Sequence, residues 1–212
     1  TYSVTANSCT DVFTVGSSTG VVTVADNSNI DYETATACTV TVKATSADGS
    51  DDSTIFSVAV TNINEAPVVS SAIADSSTAE DSAYSISVSN VFTDIDGDTL
   101  SYSISGAPST ITITGATISG TPVQANVGDH TIVVTATDGS LSITDSYVLT
   151  VTNVNDGPGF TSSATTSATE DTAYAYIATA TDSEGQTITL TGTTIPDWAN
   201  FVDVGSGSGV LT

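Results

Sequence analysis

Apolar side chains along this chain alternate with polar ones in short runs. Between residues 67 and 157 the alternating positions are Ile86 and Val88, then Leu100, Tyr102 and Ile104, then Ile111 and Ile113. Ile132, Val134 and Ala136 follow, and then Tyr147, Leu149 and Val151. A two-residue period puts every second side chain on one face of an extended backbone, so each run predicts a β-strand with one buried and one wet face. About seven such runs, separated by Gly, Asp, Asn, Ser or Pro, are what an antiparallel two-sheet sandwich needs. Earlier in the chain Val40, Val42 and Ala44 precede Phe56, Val58 and Val60, so the pattern runs up to each Pro-bearing junction. No segment predicts a helix.

The pattern also repeats on a longer scale. Asn62-Ile63-Asn64-Glu65-Ala66-Pro67 matches Asn153-Val154-Asn155-Asp156-Gly157-Pro158, and Ala79-Glu80-Asp81-Ser82-Ala83-Tyr84 matches Thr169-Glu170-Asp171-Thr172-Ala173-Tyr174. Thr93-Asp94-Ile95-Asp96-Gly97-Asp98 matches Thr181-Asp182-Ser183-Glu184-Gly185-Gln186 in the same order. The reading is therefore a partial repeat over residues 1–66, a complete one over 67–157 and a second partial one over 158–212, as in a fragment of a longer chain.

Composition agrees with β structure and narrows the partners. The 212 residues carry 24 acidic side chains against one basic side chain, Lys43, for a formal charge of −23. Such a chain cannot neutralise phosphates, which excludes nucleic acid, and an anionic lipid surface repels it in the absence of a divalent metal. Hydrophobic residues at 39% supply enough apolar surface for packed cores, so the acidity does not imply disorder. No run of about twenty apolar residues is present for membrane insertion. Cys9 and Cys38, if paired, would close a loop of 29 residues; two buried free thiols are the other reading. Together with the acidity the pair points to an oxidising, extracellular or cell-surface setting.

In their order and spacing these strings resemble the cadherin superfamily. Phe13, Thr19-Gly20-Val21-Val22, Ile30-Asp31-Tyr32-Glu33 and Val40-x-Val42-x-Ala44 are similar to the later part of a cadherin repeat. Phe92-Thr93-Asp94-Ile95-Asp96-Gly97-Asp98, Ser119-Gly120-Thr121-Pro122, Ala136-Thr137-Asp138-Gly139 and Val151-Thr152-Asn153-Val154-Asn155-Asp156 resemble the dystroglycan-type cadherin-like modules of surface proteins. The resemblance implies an all-β fold of tandem Greek-key, immunoglobulin-like β-sandwiches joined end to end. It also implies calcium held at the junctions by acids from both neighbours.

At the first junction that set is Asp31, Glu33, Asn62, Asn64, Glu65, Asp94, Asp96 and Asp138. At the second, poorer junction it is Glu80, Asn153, Asn155, Asp156, Asp182 and Glu184, because no Asp-x-Glu pair lies between Pro122 and Asp129. Carboxylates gathered without a cation repel, and a hard ion that tolerates six to eight oxygen ligands reverses the sign, which favours calcium over magnesium. Ser46 stands where an acid is expected, which weakens any site at the other end of the first repeat. Asp, Asn and Gly also form ordinary turns, and Asp98 is read that way.

Little points to catalysis. His130 is the only histidine, and no HExxH, CxxC or phosphate loop occurs. Trp198, the only tryptophan, sits where such modules bury an aromatic and is read as core, with carbohydrate stacking as the competing use. Tyr84 and Tyr174 are read as core as well. The functional expectation is a non-enzymatic adhesion or spacer segment, a rod stiffened by calcium. Its partners would be other repeats of the same protein, homotypic contacts and O-linked glycans. A subunit of an extracellular filament or sheath, assembled laterally or by strand completion, is the alternative; a carbohydrate-binding accessory module is a weaker one.

Overall fold

The computed structural model describes residues 1–212. Eighteen strands and one 3-10 turn make up its regular structure. They begin with β1 (Tyr2–Asn7), β2 (Phe13–Val15), β3 (Val22–Val24), β4 (Ala37–Thr45), β5 (Asp51–Ala59) and β6 (Val68–Val69). Next come β7 (Ser76–Ala79), β8 (Tyr84–Ser87), β9 (Phe92–Thr93), β10 (Ser101–Ser105), β11 (Ile111–Thr114) and β12 (Thr117–Gly120). After the 3-10 turn at Gln124–Asn126 follow β13 (Gly128–Thr137), β14 (Ser142–Thr152), β15 (Gly159–Phe160), β16 (Tyr176–Thr181), β17 (Phe201–Gly205) and β18 (Ser208–Leu211). The fold is an all-β, immunoglobulin-like β-sandwich, and the chain divides into two compact units.

One unit comprises Thr1–Ser71, Asn90–Ser101 and Ala136–Ile143. Its principal sheet has the order β1-β4-β5, with the hairpin β2-β3 and the short pair β6-β9 beside it. The alternation in β4 emerges as burial, with Cys38, Val40 and Val42 turned inward. Cys9 and Cys38 form a disulfide, their Cα atoms 5.5 Å apart. It lies in a small core with Val12, against which Phe13, Ile30, Ala35 and Val60 pack. β5 has the same sequence alternation but emerges differently. All nine of its residues are exposed, because β5 is the outer strand of its sheet and nothing lies over Phe56 and Val58.

The other unit comprises Ala72–Ser89, Tyr102–Thr135 and Thr144–Thr212. Here β10-β13-β14-β7 form one sheet and β11-β12-β8 another. β7 joins β14 in parallel, with Leu149 opposite Ser76 and Thr152 opposite Ala79. Ile132, Val134, Tyr147, Leu149 and Val151 from the first sheet and Tyr84, Val88, Ile111 and Ile118 from the second are buried. Tyr84 donates its hydroxyl to the Tyr147 hydroxyl at 3.2 Å, and the Ser76 hydroxyl lies 2.8 Å from the Tyr84 oxygen. Burial first, and then this hydrogen bond, raise the Tyr147 phenol far above its ordinary range.

A third sheet in this unit has the order β15-β16-β18-β17 and a small core of Ala178, Ala180 and Leu190. Trp198, expected in a core, is 66% exposed and meets Tyr174 edge to face at 6.1 Å. Tyr174 is half-buried, whereas Tyr84 at the matching position is in the core as expected.

Candidate metal centre

The Asp94–Asp98 turn builds one side of the first acidic cluster. Asp94 Oδ1 accepts the Asp96 N–H at 2.9 Å, and Gly97 takes a positive φ of 79°, a conformation that costs a residue without Cβ little. The turn gathers the carboxylates of Asp94, Asp96 and Asp98, one oxygen from each within 4.8 Å of the others. The linker that follows β5 supplies the other side. Asn62 donates its amide to Asp96 Oδ1 at 2.8 Å, and the Glu65 N–H donates to Asp96 Oδ2 at 2.8 Å. Glu33, Glu65 and Asp96 consequently converge, again with one oxygen each within 4.8 Å.

Asp31 closes a turn of its own, accepting from the Glu33 and Thr34 N–H groups at 2.9 and 3.2 Å and from the Thr34 hydroxyl at 2.9 Å. That turn presents Glu33. Asp138 is tied to the linker through Asn64, whose amide donates to Asp138 Oδ2 at 2.9 Å, while Asp138 Oδ1 accepts from the Ser140 and Leu141 N–H groups. A cavity of about 290 Å³, lined by Asp31, Glu33, Asn62 and Glu65 among others, lies beside the cluster. All eight sequence-derived positions of this set fall in one compact unit.

Charge within the cluster is uncompensated by protein. Lys43, the only basic side chain of its kind, is paired with Asp51 at 2.5 Å. Desolvation, then hydrogen bonding to Asp31 and the Asp96 charge, raise the Glu33 carboxyl above its ordinary range; desolvation, then Asp96 and Glu33, do the same to Glu65. Asp96 is held low by the Glu65 N–H and the Asn62 amide, Asp138 by Leu141 N–H and Asn64, and Asp31 by Thr34. One atom is left over. Asp94 Oδ2 is buried and has no hydrogen-bond partner, which is costly for a carboxylate oxygen unless a cation meets it.

The second linker repeats this geometry. Asn155 donates its amide to the Asp156 carbonyl at 3.0 Å as Asn64 does to the Glu65 carbonyl at 3.1 Å. The Asp156 N–H reaches Glu184 Oε1 at 3.3 Å as the Glu65 N–H reaches Asp96, and Asp182 Oδ1 accepts the Glu184 N–H at 3.1 Å as Asp94 accepts that of Asp96. The Gln186 amide donates to Asn155 Oδ1. Here Glu184 Oε2 is the buried oxygen without a partner.

Glu80, Asp81 and Asp156 form a separate three-carboxylate group on the same linker, one oxygen from each within 4.8 Å. Glu80 is fully buried. Its Oε1 accepts the Val154 N–H at 2.8 Å, and the Gln124 amide, oriented with Nε2 toward it, donates to both oxygens at 2.7 and 2.8 Å and to Asn153 Oδ1 at 2.9 Å. Sequence reasoning did not single out Asp81 or Gln124 and assigned Asp98 to a turn. Asp98 does belong to the turn, yet its carboxylate joins Asp94 and Asp96, a placement that the alternate-residue Asp spacing could have signalled. Gln124 carries no such signal, because a 3-10 turn more than forty residues away brings it to Glu80.

Residues 66–152 match the family model described as He_PIG, "Putative Ig domain". No curated protein matches the chain. Among solved structures, human protocadherin-24 EC1-2 is similar at 20% identity and a TM-score of 0.55, covering 72% of this chain and 81% of that one. The extracellular cadherin domains 1–4 of protocadherin gamma B7 match over 100% of this chain and 57% of theirs, at 17% identity and a TM-score of 0.54. Human mucin-like protocadherin EC1-2 matches at 15% identity and 0.53, over 73% of this chain and 84% of that one. The chain also spans 34% of an endo-fucoidan hydrolase from glycoside hydrolase family 107, at 20% identity and a TM-score of 0.42, too low to carry an argument. These likenesses establish the fold.

Proposed function

We propose that this chain is a segment of a non-enzymatic extracellular repeat protein, a spacer or adhesive stalk whose linkers are stiffened by calcium. Its repeats are residues 1–66, 67–157 and 158–212, with the linkers at Asn62–Glu65 and Asn153–Asp156. The carrying observation is that the linker geometry occurs twice, 91 residues apart, each time with a buried carboxylate oxygen that lacks a partner. Independent turns would have no reason to repeat the same side-chain and backbone bonds. Every donor in both sets is a carboxylate or amide oxygen, the chemistry of a hard cation, and a mixed, partly neutral set suits calcium.

Glu33, Glu65, Asp94, Asp96 and Asp98 would hold the ion at the first linker, with Asn62 and Asn64 orienting the acids. Bound calcium supplies positive charge there, offsetting the repulsion among carboxylates. Asp138 fixes the linker through Asn64, and the Glu65 N–H fixes Asp96. The disulfide and the acidity support an extracellular setting, and no helix is long and apolar enough to cross a membrane.

The test is small-angle scattering and thermal melting in chelator and in millimolar calcium. The proposal expects a longer maximum dimension and a higher melting temperature with calcium. Identical curves would defeat it.

A further inference from the structure

The two linkers differ in one contributing segment. Between β3 and β4 that segment supplies the carboxylates of Asp31 and Glu33. Between β12 and β13 its place is taken by Gln124-Ala125-Asn126, which has none. Asn126 shapes this second turn. Its Oδ1 accepts the Val123 N–H at 3.0 Å and the Thr110 hydroxyl at 2.9 Å, and its carbonyl lies 2.7 Å from His130 Nε2. These anchors fix the turn and, with it, the stem of Gln124.

Glu80 is fixed from both sides as well. Its N–H donates to the Thr152 carbonyl at 3.0 Å, and the Asp81 N–H donates to the Pro122 carbonyl at 2.8 Å. The buried carboxylate then meets the Gln124 amide, whose Nε2 lies 2.7 and 2.8 Å from the two Glu80 oxygens and 2.9 Å from Asn153 Oδ1. Three oxygens around one centre resemble part of an ion's coordination shell, and the distances decide its occupant. An N–H donor sits about 2.7–3.2 Å from its acceptor, whereas calcium–oxygen contacts are about 2.3–2.6 Å. The amide therefore fills this cradle. Both Glu80 oxygens have donors, so the buried oxygen without a partner at this linker lies on the other side, at Glu184 Oε2.

We propose that the Gln124 amide stands in for a cation on the Glu80 side of the second linker. That side takes no calcium, and metal binding there is left to Asp156, Asp182 and Glu184. The hold of Glu80 on the Val154 N–H then persists when calcium is withdrawn. A single residue sets this choice. A carboxylate at position 124 would remove the donor, add a third acid beside Glu80 and Asn153, and open the cradle to an ion.

The inference rests on calcium as the linkers' ion, and its test separates the two. Calorimetric titration with calcium counts the ions bound by the parent, Glu80→Gln, Gln124→Glu and Ala125→Glu chains, and thermal melting in chelator reads the metal-free hold. Glu80→Gln should bind as many ions as the parent. Gln124→Glu should melt about 5–10 °C lower in chelator, since a carboxylate then stands against Glu80. It should also bind one ion more than the parent and recover the loss in millimolar calcium. Ala125→Glu, which adds the same charge at an exposed position of the same turn, should gain no ion. An ion lost in Glu80→Gln, none gained in Gln124→Glu, or an equal gain in Ala125→Glu would each overturn the assignment. A parent that binds no calcium defeats the calcium reading instead, and an ion bound by Gln124→Glu then still upholds the role of Gln124.

Discussion

Replacing Glu80 by alanine removes a carboxylate that is fully buried yet carries no cationic partner. The Val154 N–H and the Gln124 amide both lose their acceptor. A buried donor left without an acceptor costs about 1–3 kcal/mol. Gln124 is only half-buried and can turn to water, so its share falls at the low end, whereas Val154 N–H is fixed by the backbone. Adding the space vacated by the side chain, the total is about 3–4 kcal/mol, or roughly 10–20 °C in melting temperature for a unit of this size. Glu80→Gln keeps an oxygen for Val154 and can exchange amide bonds with Gln124, so it should cost about 1 kcal/mol or less. The assay is urea unfolding followed by circular dichroism, with both variants run in chelator. An alanine variant within 1 kcal/mol of the parent would refute the assignment of Glu80 as the acceptor that holds the second linker.

The remaining predictions are briefer. In chelator, Glu33 and Glu65 keep their protons above the ordinary 4.5, so ionising them disfavours the folded state and that penalty vanishes as pH falls through their raised values. Asp31, Asp96 and Asp138 titrate below 3.8 and contribute stability that is lost as pH falls through their lowered values. Calorimetry should therefore show the melting temperature rising from pH 7 towards about pH 4.5 and dropping below about pH 3.5, and a monotonic fall from pH 7 would contradict the sign. Replacing Cys9 and Cys38 together by serine frees a 29-residue loop and should cost about 3.6 kcal/mol in denaturant unfolding. Leu149→Ala, at a site with no exposure, should cost about 3 kcal/mol, whereas Val58→Ala at the matching exposed site of β5 should cost less than about 1 kcal/mol in the monomer.

Period-two patterning was enough to reveal the strands of β4, β13 and β14, because alternation in these segments reflects a face that is buried. The same signal misled at β5, since alternation records which face could be covered and not whether anything covers it. Trp198 was misread for a different reason: its place in the core was expected from the resemblance to modules that bury an aromatic there, whereas here it is exposed. The acidic clusters were legible where repeated motifs fixed the ligand spacing, as in Asp94-x-Asp96 and Asn62-x-Asn64-Glu65. Links that depend on long-range packing were not. Gln124 reaches Glu80 only through the 3-10 turn, and Asp138 reaches the first linker only because Asn64 bridges to it.

The account rests on a cation meeting the carboxylates of the first linker, and calorimetric titration of the metal-free chain with calcium tests that most directly. It predicts saturable binding below millimolar concentration that Asp96→Asn weakens at least tenfold, since Asp96 is shared by both groups of three acids on that linker. No saturable heat up to several millimolar calcium, or an unchanged isotherm in Asp96→Asn, would contradict it.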